Sequence, residues 1–194
     1  MTEIKENSLK LETPKSRNLY FSKQVDQESI GSLTEAIIEI NAHDQMLKKL
    51  YSIYNLVYTP DPVKLYIDSY GGYVYQCFGL LSVMESSETP IHTIVTGAAM
   101  SCGFMILICG HKRFAYSLST PLYHQVSSGV FGKVKDMEEK LKETKRLQDK
   151  VEKIVLGKTK ISKDKLKEIY KFKKDWYMTA KKALKLGVVD KIIK

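Results

Sequence analysis

Residues Gly97–Gly103 read Gly-Ala-Ala-Met-Ser-Cys-Gly and lie between two apolar runs, Ile91–Val95 and Phe104–Cys109. The pattern predicts a strand, a tight turn and a buried helix, with Ser101 near the start of that helix. A hydroxyl at such a turn stands beside backbone N–H groups that the helix leaves unpaired, and these groups favour developing negative charge. An acyl-transfer nucleophile needs this arrangement.

Two side chains further along the chain, His124 and Asp175, complete the groups that a serine hydrolase uses. Each alone is more often structural: a histidine after a short strand is usually bonded within the fold, and an aspartate beside Lys173 and Lys174 is usually a solvated charge. With Ser101 they form a candidate triad in the chain order Ser, His, Asp. Because triads are defined by geometry and not by chain order, this order is compatible with catalysis.

A glycine pair, Gly71-Gly72, supplies a candidate oxyanion-binding site. Glycine lets a backbone N–H approach a bound carbonyl closely and tolerates unusual backbone angles. The N–H groups of Gly72 and Cys102 could then bind an oxyanion together. The alternative is a simple turn that starts a helix. A phosphate-binding loop fits poorly, because the sequence has neither a GxGxxG motif nor a Walker lysine. The Cys102 thiol is a weaker candidate nucleophile, since the backbone of this residue suits the oxyanion role.

The apolar periodicity predicts strands that alternate with helices along the chain. The expected strands are 17–21, 63–67, 91–95, 113–116, 122–123 and 188–193; the expected helices follow Asp26, Gly72, Ser101, Lys133, Ser162 and Thr179. Residues 43–62 are ambiguous, because their apolar positions can extend the first helix until Pro60 and Pro62 end it. The alternation indicates an α/β fold with a mostly parallel sheet covered by helices, and sites in such sheets lie at the carboxyl ends of the strands.

The composition fits one globular domain of 194 residues, with 43% hydrophobic and 27% charged residues. The net charge of +9 raises the alternative of a nucleic-acid-binding protein. Most lysines lie from Lys133 onward, interleaved with acidic residues at helical spacing, which is typical of a solvated helix face. The three arginines, Arg17, Arg113 and Arg146, are few for recognising bases or phosphates. We therefore expect no nucleic-acid partner.

The three cysteines, Cys77, Cys102 and Cys109, have apolar or small neighbours and no metal-ligand spacing. We expect no metal and no cofactor, and reduced thiols in a cytoplasmic protein. The N-terminus contains no apolar stretch of signal-peptide length, and no apolar run in the sequence reaches membrane-spanning length. Residues 1–16 are polar and of mixed charge, so we expect a flexible N-terminal arm followed by one domain at residues 17–194.

Five motifs together resemble the family of the Clp protease proteolytic subunit: Gly71-Gly72, Gly97–Gly103, Tyr123-His124-Gln125, Asp175–Ala180 and Ala183–Asp190. The resemblance covers roughly residues 17–194. It implies a crotonase-like ββα superhelix and a serine endopeptidase. By this resemblance Ser101 is the nucleophile, His124 the base and Asp175 the orienting acid, while the N–H groups of Gly72 and Cys102 bind the oxyanion.

The resemblance also implies an assembly. Members of the family stack as two heptameric rings around a proteolytic chamber, take peptides or unfolded proteins as substrates and can work with an AAA+ unfoldase. Val134–Val155 would be the projecting "handle" helix that meshes between the rings, and Ser127–Gly129 would start the strand that lies along the substrate. The residues agree in part, because a projecting helix with an apolar stripe must bury that stripe on a partner.

The sequence departs from the family's pattern at several positions. Asp68-Ser69-Tyr70 stands where Asn-Ser-Pro is usual, Cys102 replaces a methionine and Val126 replaces a proline, while residues 45–62 resemble an insertion. These departures leave open a catalytically weak or inactive ring subunit that serves assembly or regulation. A further alternative is a crotonase-fold enzyme that acts on acyl-CoA, since such enzymes also use two backbone N–H groups.

Overall fold

The structure is a computed structural model that describes residues 16–193. Its central element is a seven-stranded sheet. Its strands are β1 Asn18–Phe21, β2 Val63–Ser69, β3 Ile91–Met100, β4 Lys112–Tyr116, β5 Thr120–Tyr123, β6 Trp176–Tyr177 and β7 Lys191–Ile193. The main path runs β1-β2-β3-β4-β7 and every pairing along it is parallel. Strand β5 branches from β3 in parallel and pairs with β6 antiparallel. The predicted α/β class with a mostly parallel sheet is confirmed.

Six helices connect the strands: α1 Gln27–Ile53, α2 Val74–Ser86, α3 Cys102–Ile108, α4 Val134–Lys158, α5 Lys163–Phe172 and α6 Ala180–Lys185. Three of them begin at predicted caps. The side chains of Asp26, Ser162 and Thr179 each accept a backbone N–H from the first turn of their helix. Gly187 follows α6 with a φ of 65°, which is the conformation that glycine adopts most readily at a helix end.

The core lies between the sheet and the helices. Every residue of α3 is buried, as its apolar sequence predicts. Helix α1 turns Ile30, Leu33, Ile37 and Ile40 inward, in agreement with their three- and four-residue spacing. Within residues 16–193, no helix has the length and apolar character needed to span a membrane.

The segment Gly97–Met100 is strand and not turn, which corrects the sequence-based expectation. Strand β3 continues to Met100 because residues 98–100 pair with β5. The small side chains serve packing: a Cβ on Gly97 would lie 2.6 Å from the Asp68 carboxylate, which accepts the N–H of Ala98. Only Ser101 remains between strand and helix.

The first helix ends at Ile53, seven residues before Pro60. Asn55 takes a φ of 55° just beyond it, a left-handed conformation that asparagine tolerates. The apolar residues near this end, including Ile53 and Val57, are exposed. Helical periodicity therefore predicted the extension of the helix but not where it ends.

Helix α4 has two differently packed halves. Its C-terminal half buries Leu147, Val151 and Val155 in the core, whereas Val134 and Leu141 in the N-terminal half are exposed. The helix predicted for Val134–Val155 is thus present, and its role as a handle between rings stays a prediction. Of the predicted flexible arm, residues 1–15 lie outside the described residues, and the division into an arm and a domain stays a prediction as well.

Asp44 of α1 is buried and joins three parts of the chain. Its carboxylate accepts hydrogen bonds from the Arg17 guanidinium, the Tyr58 hydroxyl at 2.7 Å and the Thr89 hydroxyl at 2.6 Å. Burial raises the pKa of Asp44, but the hydrogen bonds from Arg17, Thr89 and Tyr58 outweigh it and lower the pKa to about 2. The network connects helix α1 to the start of β1 and to the segments that lead into β2 and β3.

We predict that this network makes the protein acid-sensitive. The folded pKa of Asp44 lies below its ordinary value of 3.8, so its contribution is complete above about pH 4 and is lost as pH falls toward 2. A shift of this size corresponds to about 2 kcal/mol. Urea unfolding at pH 7 and pH 2.5 should show a smaller pH-dependent loss for Asp44→Asn than for the wild type.

Asp61→Asn is the matched control for this experiment. Asp61 is exposed and accepts from Arg17 through its backbone carbonyl, which the substitution keeps. This variant should retain nearly the wild-type pH dependence. Equal slopes for Asp44→Asn and the wild type would contradict the prediction.

Candidate active site

Ser101 occupies a one-residue turn between β3 and α3. Its backbone has φ 54° and ψ −118°, a sparsely populated region for a residue with a side chain, and such strain persists only where the surroundings enforce it. The Ser101 N–H donates to the Leu122 carbonyl at 3.1 Å, and its carbonyl accepts from the Met105 N–H at 3.2 Å. A sharp strand-to-helix turn of this kind presents the hydroxyl of a nucleophilic serine.

Gly71 lies directly against this turn. A Cβ at residue 71 would be 2.8 Å from the Ser101 Cβ and 2.7 Å from the Met100 carbonyl oxygen, and the Gly71 φ is 98°. No other residue type has room or backbone freedom here. Ser69 is buried and supports the same turn, since its hydroxyl accepts the Gly71 N–H at 3.2 Å and donates to the Lys23 carbonyl.

Gly72 forms a parallel bridge with Val25. The backbone of Val25 hydrogen-bonds the residues on either side of Gly72. The Val25 N–H donates to the Gly71 carbonyl and the Val25 carbonyl accepts the Tyr73 N–H, both at 2.8 Å. The polar groups of Gly72 itself point to the opposite side in such a bridge. There, its carbonyl accepts from the Cys102 thiol at 3.3 Å. Gly72 is therefore adjacent to Cys102, whose N–H is the first of α3 and has no partner within that helix.

His124 and Asp175 meet through the pairing of β5 with β6. Tyr123 at the end of β5 is the partner of Trp176 at the start of β6, so the antiparallel register sets the next pair of residues opposite each other. His124 Nδ1 lies 3.5 Å from Asp175 Oδ1. The separation is longer than an ordinary hydrogen bond, and the Asp175 side chain is 60% exposed, so solvent screens this contact.

Ser101 and His124 line one pocket with both proposed oxyanion residues, Gly72 and Cys102. The rest of the pocket wall is mostly apolar: Val74, Cys77, Phe78, Met105, Tyr123, Val126 and Val151, together with Gln125 and Ser127. The hydrogen bonds of the described residues do not include one between the Ser101 hydroxyl and His124. Catalytic hydrogen bonds without substrate are often long and tighten in the complex. The pocket thus sets the Ser101 hydroxyl and the His124 imidazole beside a mostly apolar wall.

Gln148 of α4 is a supporting residue that the sequence analysis missed. It is buried; its Oε1 accepts the Val126 N–H at 2.8 Å, and its Nε2 donates to the Tyr123 hydroxyl at 3.4 Å. These two contacts bracket His124 and tie its segment to the long helix. One sequence signal existed, because Gln148 is a polar residue between Leu147 and Val151 on the apolar side of the helix.

No metal-binding arrangement is found in residues 16–193: no three His, Cys, Asp or Glu side chains cluster as ligands would. The other three histidines, His43, His92 and His111, lie outside the pocket. Burial lowers the pKa of His92, and nearby cations lower it further. The polar groups that line the pocket include the Ser101 hydroxyl, the His124 imidazole and the thiols of Cys77 and Cys102.

Comparisons with a family model and with curated proteins both point to the Clp protease. The family described as Clp protease matches residues 14–194. The ATP-dependent Clp protease proteolytic subunit of Deinococcus radiodurans is 33% identical over 133 residues, which cover 68% of this chain and 64% of the relative. The protein of the same name from Porphyromonas gingivalis is 31% identical over 133 residues, 68% of this chain and 59% of the relative. The match thus spans about three fifths of the length of these curated relatives.

We predict that Gly71→Ala destabilises the protein by about 2 kcal/mol or more, because the new Cβ meets the Ser101 turn in a strained backbone conformation. The matched control is Gly79→Ala in α2, where a Cβ meets no atom within 4 Å. In a helix this exchange should be neutral or stabilise by up to about 1 kcal/mol. Urea unfolding measures both. A Gly71→Ala variant as stable as the wild type would show that the turn relaxes freely.

Proposed function

The chain belongs to the Clp protease family, and from this membership we propose that it is a serine endopeptidase subunit that cleaves peptide bonds inside an oligomeric chamber. The proposal rests chiefly on one observation: Ser101, His124, Gly72 and Cys102 border a single pocket, and the Asp175 carboxylate lies behind the imidazole. The mixed α/β architecture is consistent with the fold of that family.

In the proposed mechanism Ser101 Oγ attacks the scissile carbonyl carbon. His124 faces Asp175 through Nδ1, which leaves Nε2 to take the serine proton and later to give it to the leaving amine. Asp175 keeps the imidazole in this tautomer and stabilises the imidazolium. The reaction is acyl transfer to serine followed by hydrolysis of the acyl-enzyme.

The oxyanion of the tetrahedral intermediate would bind the N–H groups of Gly72 and Cys102. Their nearness to Ser101 supports this assignment: Gly71 touches the Ser101 turn, and the Cys102 thiol bonds the Gly72 carbonyl. One donor of this type typically contributes about 10²–10³-fold to kcat. Because backbone N–H groups do the work, replacement of Met by Cys at residue 102 is compatible with activity.

Peptides or unfolded proteins are the proposed substrates. Residues 124–133 form no helix or strand in the structure, and Ser128 and Gly129 within this segment are exposed. An extended peptide that adds a strand beside Ser127–Gly129 would gain main-chain hydrogen bonds with little dependence on its sequence. One of its side chains would then enter the apolar part of the pocket.

Assembly is the second half of the proposal. From the family resemblance we expect two stacked heptameric rings with α4 as the handle between them, and the exposed apolar side chains in the N-terminal half of α4 are consistent with such a contact. The residues that such a contact would cover are Val130, Phe131, Val134, Met137 and Leu141. An AAA+ unfoldase is the expected partner, since the relatives are named subunits of ATP-dependent proteases. The three free thiols agree with a cytoplasmic location.

A catalytically weak or inactive ring subunit is the alternative. The His124–Asp175 separation of 3.5 Å and the exposure of Asp175 favour it, since both weaken the orientation of the imidazole. A serine-reactive fluorophosphonate distinguishes the two functions. Labelling at Ser101 supports the endopeptidase, whereas an assembled ring that resists labelling supports the inactive subunit. An acyl-CoA hydratase should also resist the reagent but would turn over an enoyl-CoA.

We predict that Ser101→Ala abolishes hydrolysis of a short fluorogenic peptide, because it removes the nucleophile, and leaves the assembly size unchanged. Ser32→Ala is the matched control: Ser32 is an exposed α1 residue whose hydroxyl donates to the Glu28 carbonyl. It should hydrolyse the peptide at the wild-type rate. If Ser101→Ala cleaved as fast as the wild type, the nucleophile would lie elsewhere.

We predict that Leu141→Glu disrupts docking between rings and lowers peptidase activity with it, because it sets a charge on the exposed apolar stripe. Lys142→Glu, one residue further along α4 and also exposed, is the control for added negative charge. Leu147 is unsuitable for this purpose: it is buried within the chain, so a charge there would destabilise the fold itself. Native mass measurement gives the assembly size. An unchanged particle for Leu141→Glu would exclude this face as the ring contact.

A further inference from the structure

Two cysteine thiols meet at the wall of the pocket that holds Ser101. Cys77 of α2 and Cys102 at the start of α3 both line this pocket and are both buried. The Cys77 thiol donates to the Cys102 carbonyl at 3.6 Å, and the Cys102 thiol donates to the Gly72 carbonyl at 3.3 Å. Twenty-four residues separate them in sequence, so their contact is a product of the packing of α2 on α3.

The two thiols differ in acidity. The neighbouring Cys102 side chain, followed by burial, raises the pKa of the Cys77 thiol well above the ordinary value. The neighbouring Cys77 side chain outweighs burial and lowers the pKa of the Cys102 thiol. A more acidic thiol next to a protonated one is the arrangement in which the first is oxidised and the second resolves it.

We propose that Cys77 and Cys102 form an oxidisable pair that a small peroxide converts into a disulfide. The Cys102 thiolate attacks one oxygen of hydrogen peroxide, the O–O bond breaks, and protonated hydroxide leaves as water, which yields a sulfenic acid. The Cys77 sulfur then attacks the Cys102 sulfur, and the sulfenic hydroxyl leaves as a second water after taking the Cys77 proton. In total two thiols lose two electrons and two protons to one peroxide.

The disulfide also changes the proposed oxyanion site. The Cys102 thiol now bonds the Gly72 carbonyl at 3.3 Å, and oxidation to a disulfide removes that donor. The contact joins the two residues whose N–H groups would bind the oxyanion, so oxidation separates them and draws Cys102 toward α2. Peptidase activity should therefore fall on oxidation and return on reduction. This regulatory part rests on the proposed function, whereas the thiol chemistry does not.

The burial of both sulfurs limits the class of oxidant. With 1% and 4% of Cys77 and Cys102 exposed, a molecule the size of hydrogen peroxide can enter from the pocket, but a bulky aromatic disulfide reagent cannot. Cys109 supplies an internal comparison, because it is farther from the pocket and burial raises its pKa to about 11. It should remain a thiol under the same treatment.

The experiment treats the full chain with hydrogen peroxide, alkylates remaining thiols under denaturing conditions and maps peptides by mass spectrometry. We expect a 77–102 cross-linked peptide, a chain lighter by two hydrogen atoms and an alkylated Cys109. Hydrolysis of a fluorogenic peptide should fall by about 10²-fold relative to the untreated sample and recover with dithiothreitol. Cys109→Ala should behave as the wild type, while Cys77→Ala should form no intrachain cross-link.

The results separate the two proposals. A cross-linked peptide in a protein that never hydrolyses peptides supports the thiol pair and counts against the endopeptidase. A peptidase that keeps three free thiols after treatment overturns the pair and leaves the endopeptidase intact. If the cross-link forms and activity does not change, the regulatory part is wrong. A cross-link that joins Cys109 or two chains also overturns the proposal.

Discussion

The two-sided pairing of the short strand β5 is the constraint on which the site depends. One edge of β5 pairs in parallel with the end of β3, so that Leu122 holds the backbone of Ser101. The other edge pairs antiparallel with β6, which brings Asp175 opposite His124. Ser101 and His124, which are 23 positions apart, thus line one pocket, and Asp175, 51 positions further along the chain, contacts the imidazole. A register shift of one residue at either edge would send a side chain to the wrong face.

Backbone contacts, more than side-chain packing, determine the geometry around Ser101 and Gly72. Gly71 admits the Ser101 turn at a distance that any Cβ would prevent, and the bridge between Gly72 and Val25 directs the glycine amide away from Val25. Ser101 itself is held in a strained conformation by hydrogen bonds on both sides. Rigid backbone groups are suited to binding developing charge, because they need no reorganisation when the charge appears.

The sequence predicted those features that depend on neighbouring residues. Helix caps such as Asp26 and Ser162, the inward face of α1 and the buried α3 all follow from local patterns. The strand character of Gly97–Met100 did not, because small residues fit a turn equally well, and β5 and Asp68 decide the outcome from a distance. The Ser, His and Asp positions were chosen by residue type and resemblance; their convergence, like the part played by Gln148, depends on long-range register and burial that no local pattern contains.

Gln148 connects the long helix α4 to the residues on either side of His124. Its side-chain amide accepts the Val126 N–H and donates to the Tyr123 hydroxyl, on either side of His124. The other half of the same helix exposes apolar side chains to solvent. A displacement of α4 would therefore strain the two hydrogen bonds that hold the segment carrying His124. If ordering of the free half of the helix orders this segment, thermodynamic reciprocity requires that an occupant which orders the segment also orders the helix.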